Sequence, residues 1–80
     1  MTKKLQEMRL KAGLSQSELA EKADLNVRMI QHYEQEVRNL NNARFYVLMK
    51  LCISLNCKLE DILSNEEYLS LLNEYKKSTD

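Results

Sequence analysis

Residues 26–34 of this 80-residue chain read NVRMIQHYE and set an arginine and a histidine four positions apart. On a helical wheel Ile30 marks one side, with Val27 and Tyr33 about 60° to either side of it. Arg28 and His32 point almost the opposite way, and Gln31 flanks them. A guanidinium fork, an imidazole and an amide on one face have the chemistry to bond the acceptor-rich edges of bases. An ordinary polar helix face has the same pattern. The elements that hold this segment decide between the two.

Those elements are helical. Proline is absent, Gly13 is the single glycine, and helix formers dominate, so an all-α fold is expected and glycine-dependent hairpins are excluded. Leu5, Met8, Ala12 and the stem of Arg9 follow the spacing of an amphipathic helix over 3–12, which Gly13 ends. Ser15-Gln16-Ser17-Glu18 reads as a capping box opening a helix over 16–22 that buries Leu19, Ala20 and Ala23. After a break at Ala23-Asp24-Leu25, Asn26 caps a helix over 27–34. Two helices this short need mutual clamping to persist, and their spacing is that of a helix-turn-helix. A polar loop, 35–41, leads to a helix over 43–55 that Asn42 can cap. Its Tyr46, Leu48, Met49, Leu51, Cys52 and Leu55 are expected to be interior, and Asn56 ends it. Leu59, Ile62 and Leu63 mark a short closing helix. Ser64-Asn65-Glu66-Glu67 reads as a second capping box opening a last helix over 66–77.

Composition narrows the function classes. The net charge is zero, yet residues 1–58 carry ten Lys/Arg against six Asp/Glu (+4) and residues 59–80 carry two against six (−4). The first part suits a polyanion and the second is repelled by one. Cys52 and Cys57 with a lone histidine give neither a zinc spacing nor a disulfide framework. Both are expected to be reduced, partly buried and, being five apart on a helix, not facing each other. The longest apolar run, Tyr46–Met49, is too short for a signal peptide or a membrane span, so cytoplasmic residence is expected. No nucleophile–base pair, metal constellation or phosphate-cradling glycine loop is present, so no catalytic residue, metal or cofactor is assigned.

With Arg9, Gly13-Leu14-Ser15-Gln16, Glu18-Leu19-Ala20, Leu25, Ile30, Glu34, Leu55-Asn56-Cys57 and Leu59–Leu63 in view, the chain resembles lambda-repressor/Cro-like (XRE-type) helix-turn-helix proteins from about Leu5 to Leu63. The resemblance implies a compact five-helix domain over 1–63, its helix-turn-helix at 16–34, followed by an additional amphipathic helix in 64–80. It further implies that Arg9 and Glu34 pair to tie the first helix to the end of the third. Val27, Arg28, Gln31 and His32 match positions that face bases in the major groove: Arg28 toward guanine, Val27 toward a thymine methyl, Gln31 toward adenine or the backbone, His32 toward guanine N7. Gln16, Asn26, Arg38 and Arg44 are the matching phosphate contacts. The chain departs from the family at Asp24 and Glu36, where glycine is usual, and at Lys58, where a capping residue is common. Asp24 and Glu36 add anions near the expected DNA face.

Tyr68, Leu71, Leu72 and Tyr75 make a stripe at i, i+3, i+4, i+7 on the last helix, to be covered by the chain's own core or by a second copy. The expected function is a sequence-specific regulator of transcription, a repressor of bacterial or phage type, acting as a homodimer on a near-palindromic double-stranded operator. The competing reading is an antitoxin-like or adaptor module whose partner is another protein and whose DNA binding is weak or lost.

Overall fold

A computed structural model of the chain describes residues 3–78. Residues 1–2 and 79–80, which the expected divisions 1–63 and 64–80 include, lie outside the described residues. Five α-helices follow one another: α1 (Lys4–Lys11), α2 (Gln16–Ala23), α3 (Val27–Glu34), α4 (Phe45–Leu55) and α5 (Glu66–Ser78). Single 3-10 turns stand at Leu40–Asn42 and Leu59–Asp61, and there is no strand among the described residues. The closing helix expected at 59–63 is thus one 3-10 turn, from which Ile62 and Leu63 still enter the core.

The core sits where α2, α3 and α4 meet. Leu19, Ile30 and Leu51, one from each helix, are fully enclosed, and Ala20 and Ala23 are small enough to let the helices close in. From α1 come Leu5 and the buried stem of Arg9; Ala12, expected on that face, is exposed because the helix ends before it and the chain turns at Gly13 (φ 74°). Lys4 fastens α1 to the far end of the domain, its Nζ donating to the carbonyls of Glu60 (2.6 Å) and Leu63 (2.5 Å).

The reversals are made by local chemistry. Ser15 Oγ accepts from the Glu18 N–H at 3.0 Å while Glu18 Oε1 accepts from the Ser15 N–H at 2.8 Å, so the capping box is complete. The Ser15 backbone bond, followed by its side chain, holds the Glu18 carboxyl below the usual carboxylate range. Asp24 (φ 54°) and Asn56 (φ 51°) close α2 and α4 in the left-handed conformation. In each case the next N–H reaches back to a helix carbonyl, Leu25 to Ala20 (2.8 Å) and Cys57 to Cys52 (3.0 Å).

That second bond corrects the reading of the cysteines. Helix spacing alone keeps positions five apart from facing each other. The left-handed Asn56 instead folds Cys57 back toward Cys52, and the two thiols interact. Both are unoxidised, and burial pushes the Cys52 thiol up to about 12 and raises Cys57 as well. Neither has the thiolate character of a reactive cysteine.

Two helix starts also differ from expectation. Asn42 does not cap α4: Asn39 Oδ1 accepts the Asn41 N–H (3.0 Å), which closes the 3-10 turn first, and Arg44 takes the N-cap position with no side-chain bond. Asn65, not Ser64, caps α5, accepting the N–H groups of Glu67 (2.9 Å) and Tyr68 (3.2 Å). The α4 helix is only half interior. Val47, Leu48, Leu51, Cys52 and Leu55 face the core, whereas Tyr46 and Met49, expected inside, are exposed together with Phe45 and Ile53. No residue of α5 is buried; Leu69 packs on the core, Leu72 is half-buried, and Tyr68, Leu71 and Tyr75 are exposed.

Candidate nucleic-acid interface

The α3 helix is held from beneath by charge as well as by packing. Arg9 and Glu34, each 7% exposed, meet in a two-pronged pair: Nε donates to Oε2 at 2.7 Å and Nη2 to Oε1 at 2.9 Å. The remaining Arg9 prong, Nη1, donates to the Leu14 carbonyl at 2.8 Å, and Gln16 Nε2 donates to Glu34 Oε1 at 3.0 Å. One buried carboxylate therefore ties α1, the α1–α2 turn and the first turn of α2 to the last residue of α3. The hydrogen bond to Glu34 raises the Arg9 pKa above its ordinary value, against the opposing effect of burial, so the guanidinium stays charged. Glu34 also orients the Gln16 amide, leaving a second N–H on that nitrogen for an outside acceptor.

Capping fixes the other end of α3. Asn26 Oδ1 accepts the Arg28 N–H at 2.8 Å, and Asn26 itself is exposed. Ile30 points into the core and so turns the opposite face outward. On that face Arg28 is exposed, and Val27, Gln31 and His32 are half-buried with accessible surface remaining. At the carboxyl end, the His32 carbonyl accepts the N–H groups of Val37 (2.9 Å) and Arg38 (3.2 Å), which folds the following loop back against the helix.

That loop brings Arg38 and Arg44 to one place. Both are exposed, and both line an open cleft of about 600 Å³ with Met29 and Tyr33 of α3 and Tyr46 of α4. The arrangement is an outward helix face with a neutral and cationic set of donors, and two guanidinium groups beside its end. It can bond an anionic, acceptor-rich surface. A family model described as a Cro/C1-type HTH DNA-binding domain matches residues 4–67. The chain belongs to that family. No curated protein and no solved structure gives a significant match to it.

As a Cro/C1-type protein, the chain is a DNA-binding regulator of transcription in the general sense of its family. The match covers α1 to α4 and the first residues of α5, so most of α5 lies beyond it. Two features of this Cro/C1-type domain were invisible in the residue pattern. Asn41 Oδ1 accepts both the Ser64 N–H (2.9 Å) and the Asn65 N–H (3.0 Å), and its Nδ2 donates to Ser64 Oγ and Asn39 Oδ1. An asparagine in a polar loop gives no sequence signal for so distant a partner. Asp24 is also answered by a cation: Lys50 Nζ lies 3.7 Å from its carboxylate and 4.5 Å from the centre of the Tyr46 ring. The pair is exposed and weak, yet it offsets part of the anion that Asp24 brings to the turn.

Glu36 has no such excuse. Its φ is 62°, in the left-handed region where a side chain costs about 1–2 kcal/mol relative to glycine. Glycine's greater freedom in the unfolded chain offsets roughly 0.5–1 kcal/mol of this. Glu36→Gly is therefore expected to stabilise the domain by up to about 1 kcal/mol, a full 1 kcal/mol corresponding to a rise in Tm of roughly 4–8 °C in a chain of this size. A thermal melt that moved downward would contradict the strain assigned here.

Proposed function

We propose that this protein is a sequence-specific double-stranded DNA-binding repressor that inserts α3 into the major groove and acts as a homodimer on a near-palindromic operator. The observation that carries the reading is the outward face of α3, held rigid by the buried Arg9–Glu34 pair. In it Arg28 bonds guanine O6 and N7 with its fork, Val27 touches a thymine methyl, and Gln31 and His32 complete the base contacts. Gln16, Asn26, Arg38 and Arg44 hold the flanking phosphates. A single short helix reads few base pairs; two copies related by a two-fold axis read half-sites about 34 Å apart. Repression by occupancy needs nothing beyond that surface.

Binding to sites selected from a random DNA pool, measured across salt concentrations, tests the reading. If the dimer neutralises about eight phosphates, log K falls with log [salt] at a slope near −7. Arg28→Ala is expected to cost about 1–3 kcal/mol on the selected site and relax its sequence preference, while Arg38→Ala weakens all DNA about equally. Equal losses from both variants on every sequence would remove Arg28 as a base reader. A flat salt response would favour the competing reading, a protein-binding module of the antitoxin or adaptor kind, for which the exposed apolar surface of α4 and α5 is the supporting observation.

A further inference from the structure

We infer that the outer face of α4, formed by Phe45, Tyr46, Met49 and Ile53, is the surface on which a second copy of this chain docks about a two-fold axis. The dimeric part of the proposed function gains its interface from this, and the DNA arm of the test below rests on that reading.

Three observations converge on α4. First, the four residues are 64%, 66%, 39% and 73% exposed and lie within one arc of the helix, opposite the buried Val47, Leu51 and Leu55. Side chains of this size at these exposures present roughly 500 Å² per copy. That is at the scale of patches that mark interaction sites. Two copies covering each other approach the ~1,000 Å² that a specific but reversible interface requires. Second, a two-fold contact must suit its own image. The sole charge on α4, Lys50, sits at the edge of the face and is engaged by Asp24 and the Tyr46 ring. The face therefore meets its own copy without like-charge repulsion. Third, the other exposed stripe, on α5, belongs to a helix that carries Glu66, Glu67 and Glu74 against Lys76 and Lys77, so it is the more heavily charged of the two and the poorer match to its own copy. Tyr46 of the α4 face also lines the cleft that holds Arg38 and Arg44.

Sedimentation equilibrium of the full chain without DNA decides the point. The wild-type protein is expected to show a monomer–dimer equilibrium. The neutral double variant Met49→Gln/Ile53→Gln should raise its dissociation constant tenfold or more, with unchanged far-ultraviolet circular dichroism. Leu71→Gln on α5 should leave it within about twofold. Ile53→Gln alone, at the most exposed position of the face, supplies the same reading should the double variant lose its fold. A wild-type monomer at millimolar concentration overturns the inference. So does an unchanged constant in the α4 variants, or a loss confined to Leu71→Gln. On DNA, the α4 variant is expected to bind an isolated half-site as the wild type does and to lose tenfold or more on the full site. Wild-type protein that dimerises through α4 yet binds no DNA would sink the operator reading and leave the interface standing.

Discussion

Arg9→Met is expected to destabilise the domain by about 3–5 kcal/mol, a large part of what an 80-residue fold possesses. The substitution removes both prongs from Glu34 and leaves its carboxylate, at 7% exposure, with Gln16 as its remaining side-chain donor. It also frees the Leu14 carbonyl that closes the α1–α2 turn. Chemical denaturation of the single variant reads the total. The double variant Arg9→Met/Glu34→Leu separates the stranded charge from the lost packing, and it should recover more than half of the loss, because a matched apolar pair needs no ionic partner. A double variant as unstable as the single one would mean that Glu34 is not the origin of the penalty. The recovered protein would nonetheless be expected to bind DNA less well, since Gln16 then loses the carboxylate that orients its amide.

Ile30→Ala carries the second large effect. Ile30 is completely enclosed in the same core as Leu19 and Leu51, and its truncation leaves a void lined by apolar side chains. Buried aliphatic side chains cut back to alanine cost about 2–5 kcal/mol, and a fully enclosed site in so small a core belongs at the upper end. The residue turns the other face of α3 outward, so the loss reaches function by another route as well. On the proposed function, a looser α3 would make the same DNA contacts at a greater entropic cost of ordering. Denaturant unfolding should show the stability loss, and affinity for the selected site should fall more than for unrelated DNA. A core that tolerates the change within 1 kcal/mol would contradict the packing described here.

Much of this was legible in the residues, for identifiable reasons. Helix-turn-helix boundaries came from strong local chemistry: the reciprocal Ser15–Glu18 cap, Asn26 ahead of α3, and short polar residues at the left-handed ends of α2 and α4. The Arg9–Glu34 pair was given by the family resemblance, because its partners are twenty-five positions apart and no periodicity links them. What escaped was set by tertiary context. Apolar density made α4 look interior throughout, since a helix rich in Phe, Tyr, Met and Ile reads the same whether one face or both are covered; only the positions of α2, α3 and the 59–61 turn decide which face is left bare. Helix spacing separated the two cysteines, and one left-handed asparagine brought them together. Asn42 is drawn into the 3-10 turn that the Asn39 side chain caps, so α4 starts two residues later than expected and Arg44 stands at its N-cap.

The side chain of Asn41 has a consequence for motion. It lies in the stretch between Arg38 and Arg44, and its amide oxygen accepts from the two residues that precede α5. Fraying at either place costs the other these hydrogen bonds, which couples the stability of the arginine-bearing loop to that of the root of the last helix. One amide thus anchors the last helix to the loop beside the cleft.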